Sequence, residues 1–247
     1  MRTVAAFFAT LLTLLLAGCG SPGGGGAAQS TVQSTAPATE PSSRAPVASP
    51  AALPKPADHR PLVVFLGDSL TAGLGVDEGQ AYPALIGQRL AAEGHPARVV
   101  NAGVSGDTSA GGVSRLDWIL SQHPDVVVVG LGANDGLRGL PLDATEANLR
   151  EIVRRVQAAG ARVILLGMKI PPSYGPGYFE GFEDMYPKIA HDLHVPLVPF
   201  LLAGVAAHPA LNQADRIHPN AKGHQILAKT VFSYVEKAVE AVEEGKG

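Results

Sequence analysis

Ser69 stands in GDSLTAGLG (67–75), directly after the apolar run PLVVFLG. A serine on a tight turn after a strand is placed for nucleophilic attack, provided a histidine takes its proton and an acid holds that histidine. The partner candidates lie far along the chain in QADRIHPNAKG, where Asp215 and His218 are three apart. In a turn, that spacing lets the carboxylate reach Nδ1 and leaves Nε2 free to face Ser69. Pro219 would then open the final helix and fix His218 at its start. Taken alone, the loop reads equally well as a surface aspartate and a helix cap. Two further loops bear on that choice. NAGVSGDTSAGG (101–112) offers an unobstructed backbone N–H at Gly106, and GLGAND (130–135) offers the side-chain amide of Asn134. Acyl transfer passes through a tetrahedral oxyanion that needs preorganised donors, and these groups are suitable ones.

Glycine loops after strands also cradle phosphates, but the required spacings are missing. No Gly-Lys-Ser/Thr occurs, and Gly73-Leu74-Gly75-Val76-Asp77-Glu78 puts an acid where a dinucleotide fingerprint needs its third glycine. The G-x-S-x-G elbow is not matched either, because Thr71 occupies its second glycine position.

These loops need strands to carry them. PLVVFLG (61–67), ARVVNAG (97–103), DVVVVGLG (125–132), ARVILLGM (161–168) and VPLVPF (195–200) are short β-branched runs with little alternation. That pattern suits parallel strands buried on both faces. Between them, Pro83–Ala92 reads as a helix ending at Gly94, and Leu149, Ile152, Val156 and Ala159 repeat helically before Gly160 as C′ residue. Leu227, Val231, Tyr234, Ala238 and Val242 mark a last helix. Strands alternating with helices predict a three-layer α/β sandwich around a parallel sheet, with the ligand crevice beyond the carboxyl ends of the strands.

The chain has 247 residues, 46% hydrophobic and 17% charged, with net charge −3. That supports one core of ordinary size, and no basic run is long enough to argue for a nucleic-acid partner. MRTVAAFFATLLTLLLAGCG has an apolar stretch from Val4 to Ala17 that is short for a membrane span and suited to a signal peptide. Leu16-Ala17-Gly18-Cys19 resembles a bacterial lipobox, so Cys19, the only cysteine, is expected to be lipidated. Residues 1–18 are then the leader, 19–60 a Gly/Pro/Ser/Ala-rich tether and 61–247 the folded domain. A flexible coil of about 41 residues spans on the order of 35 Å. The expected location is the cell envelope, on the periplasmic side. Gly20, in place of the Asp that often retains lipoproteins, points to the outer membrane where one exists.

GDSLTAG, NAGVSGDTS, GANDGLRG and DRIHPN together resemble the four blocks of the SGNH (GDSL) hydrolase superfamily. The likeness is strongest to its acyl-CoA thioesterase I, lysophospholipase and arylesterase group, and it runs from about Pro61 to Val239. The resemblance implies Ser69 as nucleophile, His218 as base and Asp215 as its orienting acid. It also implies an oxyanion hole of the Ser69 N–H, the Gly106 N–H and the Asn134 side chain, and a flavodoxin-like five-stranded sheet of order 2-1-3-4-5. Leu137 and the loop Ile170–Tyr178 correspond to acyl-pocket segments, so Leu137, Ile170, Pro171 and Tyr174 are expected substrate contacts. The expected activity is hydrolysis of small esters, thioesters or lipid esters through an acyl-enzyme, by a monomer, with no metal or organic cofactor. A small polar pocket around Leu137 and Ile170 would instead favour a carbohydrate or peptidoglycan O-acetylesterase. A non-catalytic ligand-binding lipoprotein is the remaining alternative. Asp68 and Asp135 are expected to brace their loops, Trp118 to anchor core or groove, and His191 and His194 to lie on a solvated helix face. A metal held by His208, Asp215 and His218 would compete with the serine reading for two of its residues.

Overall fold

Each β-branched run contains a strand. In the computed structural model, which describes residues 60–245, the strands are β1 (Leu62–Gly67), β2 (Arg98–Gly103), β3 (Val126–Gly130), β4 (Arg162–Leu166) and β5 (Leu197–Val198). The leader, Cys19 and all of the tether except Arg60 lie outside the described residues. All pairings are parallel and the order is β2-β1-β3-β4-β5. β1 and β3 are buried along their whole length, with Val63 beside Val126 and Gly67 beside Gly130. This is why their sequences run apolar without alternating.

The helices are α1 (Ser69–Ala72), α2 (Tyr82–Ala92), α3 (Ser109–Ser114), α4 (Leu116–Leu120), α5 (Ala133–Leu137), α6 (Leu142–Ala158), α7 (Pro176–Asp192) and α8 (Ala221–Glu244). α2 packs on α8 over one face of the sheet, and α6 packs on α3 and α7 over the other. Three layers result. α6 buries Leu149, Ile152, Val153 and Val156, each contributing about 1.5–3 kcal/mol of transfer free energy, and it stops where Gly160 takes φ +82°.

Two expectations change. α8 is opened by Asn220, whose side-chain oxygen accepts the N–H groups of Lys222 and Gly223 at 3.0 and 3.1 Å. Pro219 lies before that cap and bridges antiparallel to Asn212, since a side-chain acceptor satisfies the free N–H groups of a first turn and a proline ring cannot. Trp118 is 58% exposed on α4, because Leu116 and Ile119 occupy the core-facing side of that short helix.

Candidate active site

All five strands deliver their loops to one end of the sheet, and the nucleophile candidate sits at the first of them. Asp68 caps α1, with Oδ1 accepting the Leu70 N–H at 3.0 Å, and Gly73 closes the helix at φ +75°. So short a helix fits only because its neighbours are glycines. A Cβ on Gly103 would lie 2.2 Å from the Ala72 nitrogen, and one on Gly67 would lie 2.0 Å from Thr71 Oγ1. Asn101 secures the same junction by donating to Thr71 O at 2.8 Å and accepting from Gly103 N at 3.0 Å. Ser69 is thereby fixed as the first residue of α1, largely buried.

Ser69 Oγ lies 2.9 Å from His218 Nε2, and His218 Nδ1 lies 2.7 Å from Asp215 Oδ2. The other carboxylate oxygen accepts the backbone N–H groups of Ile217 and His218 at 2.9 and 3.0 Å. The imidazole, then those two amides, hold the Asp215 carboxyl down at about 2. An ionised Asp215 keeps the Nδ1 proton in place and leaves Nε2 as the acceptor facing Ser69. Gln213 pins this loop to the nucleophile loop by donating from Nε2 to Leu74 O at 2.6 Å and to Pro219 O at 3.0 Å. Nothing in the sequence around Gln213 signals that role, which depends on a contact 139 residues away.

The loops after β1, β2 and β3 meet at Asn134. Its Nδ2 donates to Asp107 O at 2.9 Å and approaches Asp68 Oδ2 at 3.4 Å. Burial pushes the Asp68 carboxyl up to about 6, against the opposing pull of the Leu70 N–H and His218. Gly106 occupies the adjacent turn at φ +81°, where Asp107 N donates to Val104 O at 3.0 Å and Gly106 O accepts from Arg138 at 2.8 Å. That turn is held from below by Arg115. Its guanidinium donates to Asp107 Oδ2 at 2.8 Å, Ala102 O at 2.6 Å and Gly67 O at 2.9 Å, tying the ends of β1 and β2 to the Asp107 loop. Arg115 lies in an unremarkable stretch, VSRLDW, and sequence reasoning passes over it. Asp135 braces as expected, accepting the Ser109 N–H at 2.9 Å and its hydroxyl at 2.5 Å.

A cavity of about 800 Å3 opens beside Ser69, Asn134 and His218. Leu137, Ile170 and Pro171 line it, joined by Met168, Phe200, Leu202 and Ile217, which the sequence did not single out. Tyr174 does not line it. The Tyr174 hydroxyl donates to Leu137 O at 2.7 Å and its ring packs near Tyr178, so it props the Leu137 wall from outside. Gly106 is likewise off the lining and reaches the site through Asp107. His208 lines the cavity, but no group of three His, Cys, Asp or Glu residues that could hold a metal occurs among the described residues. His191 is exposed at the end of α7, while His194 lies beyond that helix at φ +53°.

A parallel sheet with a serine, imidazole and carboxylate in line beside an apolar cavity defines a serine ester hydrolase of the three-layer α/β class. The chain belongs to the GDSL-like Lipase/Acylhydrolase family, which it matches over residues 65–226. It is 44% identical to the "Esterase TesA" of Pseudomonas aeruginosa over 171 residues, covering 69% of this chain and 85% of that protein. It is 42% identical to the "Thioesterase 1/protease 1/lysophospholipase L1" of Escherichia coli K12 over 178 residues, covering 72% and 84%. Among solved structures, the psychrotrophic esterase EstA from Pseudoalteromonas sp., inhibited by monoethylphosphonate, superposes with a TM-score of 0.69 at 34% identity, covering 72% of this chain and 98% of that one.

Proposed function

We propose that Ser69 is the nucleophile of an acyl-enzyme pathway acting on carboxylic esters and thioesters with extended apolar acyl chains. The carrying observation is the 2.9 Å Ser69–His218 contact, backed by Asp215, at the mouth of the apolar cavity. Ser69 Oγ attacks the carbonyl carbon as His218 Nε2 takes its proton. The resulting oxyanion is met by the Asn134 amide and by the Ser69 N–H, while the Gly106 turn holds Asn134 through Asp107 O. The Asn134 contact to Asp68 is long for a hydrogen bond, so that N–H is readily given up to a stronger acceptor. Collapse breaks the ester C–O or thioester C–S bond, and His218 returns the proton to the departing alcohol or thiol. Water, deprotonated by His218, then releases the acid and restores Ser69.

The size and lining of the cavity favour longer acyl groups over the acetyl group of an O-acetylesterase, because an acetyl group would leave most of about 800 Å3 unfilled. The names of the relatives, a thioesterase and lysophospholipase among them, support the same range of substrates. Rates over p-nitrophenyl esters and acyl thioesters from two to sixteen carbons test the reading. Efficiency rising beyond four carbons supports it, and a maximum at acetyl with steep decline hands the site to the acetylesterase reading. A chain without any hydrolysis would be a binding protein.

The proposal extends to location. Leu16-Ala17-Gly18-Cys19 supports cleavage before Cys19 and lipid attachment there, with the domain held on the periplasmic side of the envelope. Metabolic labelling with an alkyne fatty acid should mark the protein and spare Cys19→Ser. Equal labelling of both would remove the anchor.

A further inference from the structure

We infer that the rim of the cavity is a lipid-docking surface, on which Leu74, Val104, Leu137, Tyr174 and Ile217 lay the mouth against a phospholipid layer. Among the described residues the exposed large apolar side chains are Leu74 at 44%, Val104 at 48%, Leu137 at 39%, Tyr174 at 38%, Ile217 at 51% and Trp118 at 58%. Scattered apolar side chains need no explanation, but these are not scattered. All except Trp118 lie on the segments that follow the carboxyl ends of the strands, Leu137 as the last residue of α5. Leu74 follows α1, and its carbonyl is held by Gln213. Val104 is the first residue past β2, with its N–H on Gly67 O. Leu137 and Ile217 line the cavity itself, and Tyr174 is bonded to Leu137 O. Leu137, Tyr174 and Ile217 therefore adjoin the apolar wall of the cavity, and Leu74 and Val104 lie on the neighbouring loops at the same end of the sheet.

Three observations select lipid as the occupant. Residues 20–60 contain only Val32, Val47 and Leu53 as large apolar side chains, too few to cover the rim in place of a partner. A second copy docked through this face would close both cavity mouths, whereas a lipid layer supplies the ester to them. Two charges around the mouth are already matched, Asp107 by Arg115 and Lys169 by Glu183. The other charged residues of these loops are of both signs, Arg138 and Arg216 against Asp77, Glu78 and Asp215. Binding is thus driven by apolar burial rather than by headgroup charge. Reach is sufficient: the covalent limit of the 41 residues 20–60 is on the order of 140 Å, and a six-residue strand such as β1 is about 20 Å long. A domain anchored through Arg60 at the amino end of β1 can therefore turn its opposite end to the membrane.

The inference rests on reading the cavity as the ester site, and its test keeps the two apart. The chain from residue 19 onward carrying Cys19→Ser, so that neither the apolar leader nor an attached lipid contributes, is sedimented with phosphatidylcholine vesicles and with vesicles half phosphatidylglycerol. Hydrolysis of soluble p-nitrophenyl butyrate is followed in the same samples. The chain should partition onto both vesicles to similar extents. Leu74→Ser/Val104→Ser should lower partitioning by roughly tenfold while leaving butyrate hydrolysis within about twofold. Absent partitioning, equal partitioning of the double variant, binding confined to the anionic vesicles, or a dimer abolished by the double variant in sedimentation velocity each overturns the docking surface. Partitioning without hydrolysis removes the ester site and leaves the surface standing.

Discussion

Arg115→Met tests whether the site depends on the guanidinium that joins three backbone segments. Methionine keeps much of the aliphatic volume and removes all three donors. Asp107, whose side chain is 12% exposed, then keeps a largely buried charge without its partner. Removing one member of such a pair costs about 3–5 kcal/mol, chiefly as the stranded charge. The carbonyls of Gly67 and Ala102 also lose donors, although water can reach sites at the loop end. For a domain of this size, 3–5 kcal/mol lowers Tm by about 10 °C, read by calorimetry or circular dichroism. Turnover should fall about tenfold as well, because the loosened Asp107 carbonyl no longer orients Asn134. Asp107→Asn added to Arg115→Met should recover on the order of 2 kcal/mol by removing the stranded charge. A Tm within 2 °C of the parent, or a double variant no more stable than Arg115→Met, would refute the reasoning.

Asn134→Ala should lower kcat by about 10²–10³, roughly 2.7–4 kcal/mol, with KM nearly unchanged, and a near-parental kcat would remove Asn134 from the oxyanion hole. Asp68 gives a pH signature. Its folded value of about 6 is above the ordinary carboxyl value of about 3.9, so its contribution to stability is present below about pH 4 and is lost as pH rises through 6. The stability of Asp68→Asn relative to the parent should therefore increase by about 3 kcal/mol from pH 4 to pH 8 in urea unfolding, and a difference that does not move with pH contradicts the burial argument. Gly103→Ala should destabilise by several kcal/mol, since its Cβ would meet backbone 2.2 Å away. An ordinary Tm there would mean that α1 can shift away from β2.

The strands were legible because a buried parallel strand leaves an unbroken apolar run and five such runs alternate with helical periodicity, whereas their order came from the family resemblance. Ser69, Asn134, Asp215 and His218 were singled out by residue type and spacing, and it was four matching loops in one order that joined them into a single candidate site. The residues that bind the loops to one another were not. Arg115, Gln213 and Asn101 act through backbone carbonyls and amides that the fold brings near, and a carbonyl leaves no trace in the sequence. Asn220 was legible in principle, as an Asn before an apolar periodic run, but the neighbouring Pro219 gave a competing helix-start signal. Tyr174 has the right type for an acyl contact, but its hydroxyl is bonded to Leu137 O and it is not among the residues lining the cavity, which only the fold reveals. Cavity size was also beyond sequence, since it depends on how Met168, Phe200 and Leu202 from separate loops face one another.

The central claim is that Ser69, activated by His218, is the residue acylated in turnover. The direct measurement is intact-mass and peptide mapping after treatment with an alkyl p-nitrophenyl phosphonate. One adduct per chain is predicted, on the peptide containing Ser69, absent in Ser69→Ala and slowed at least a hundredfold in His218→Ala. An adduct of equal stoichiometry in Ser69→Ala, or one mapped to another residue, contradicts it.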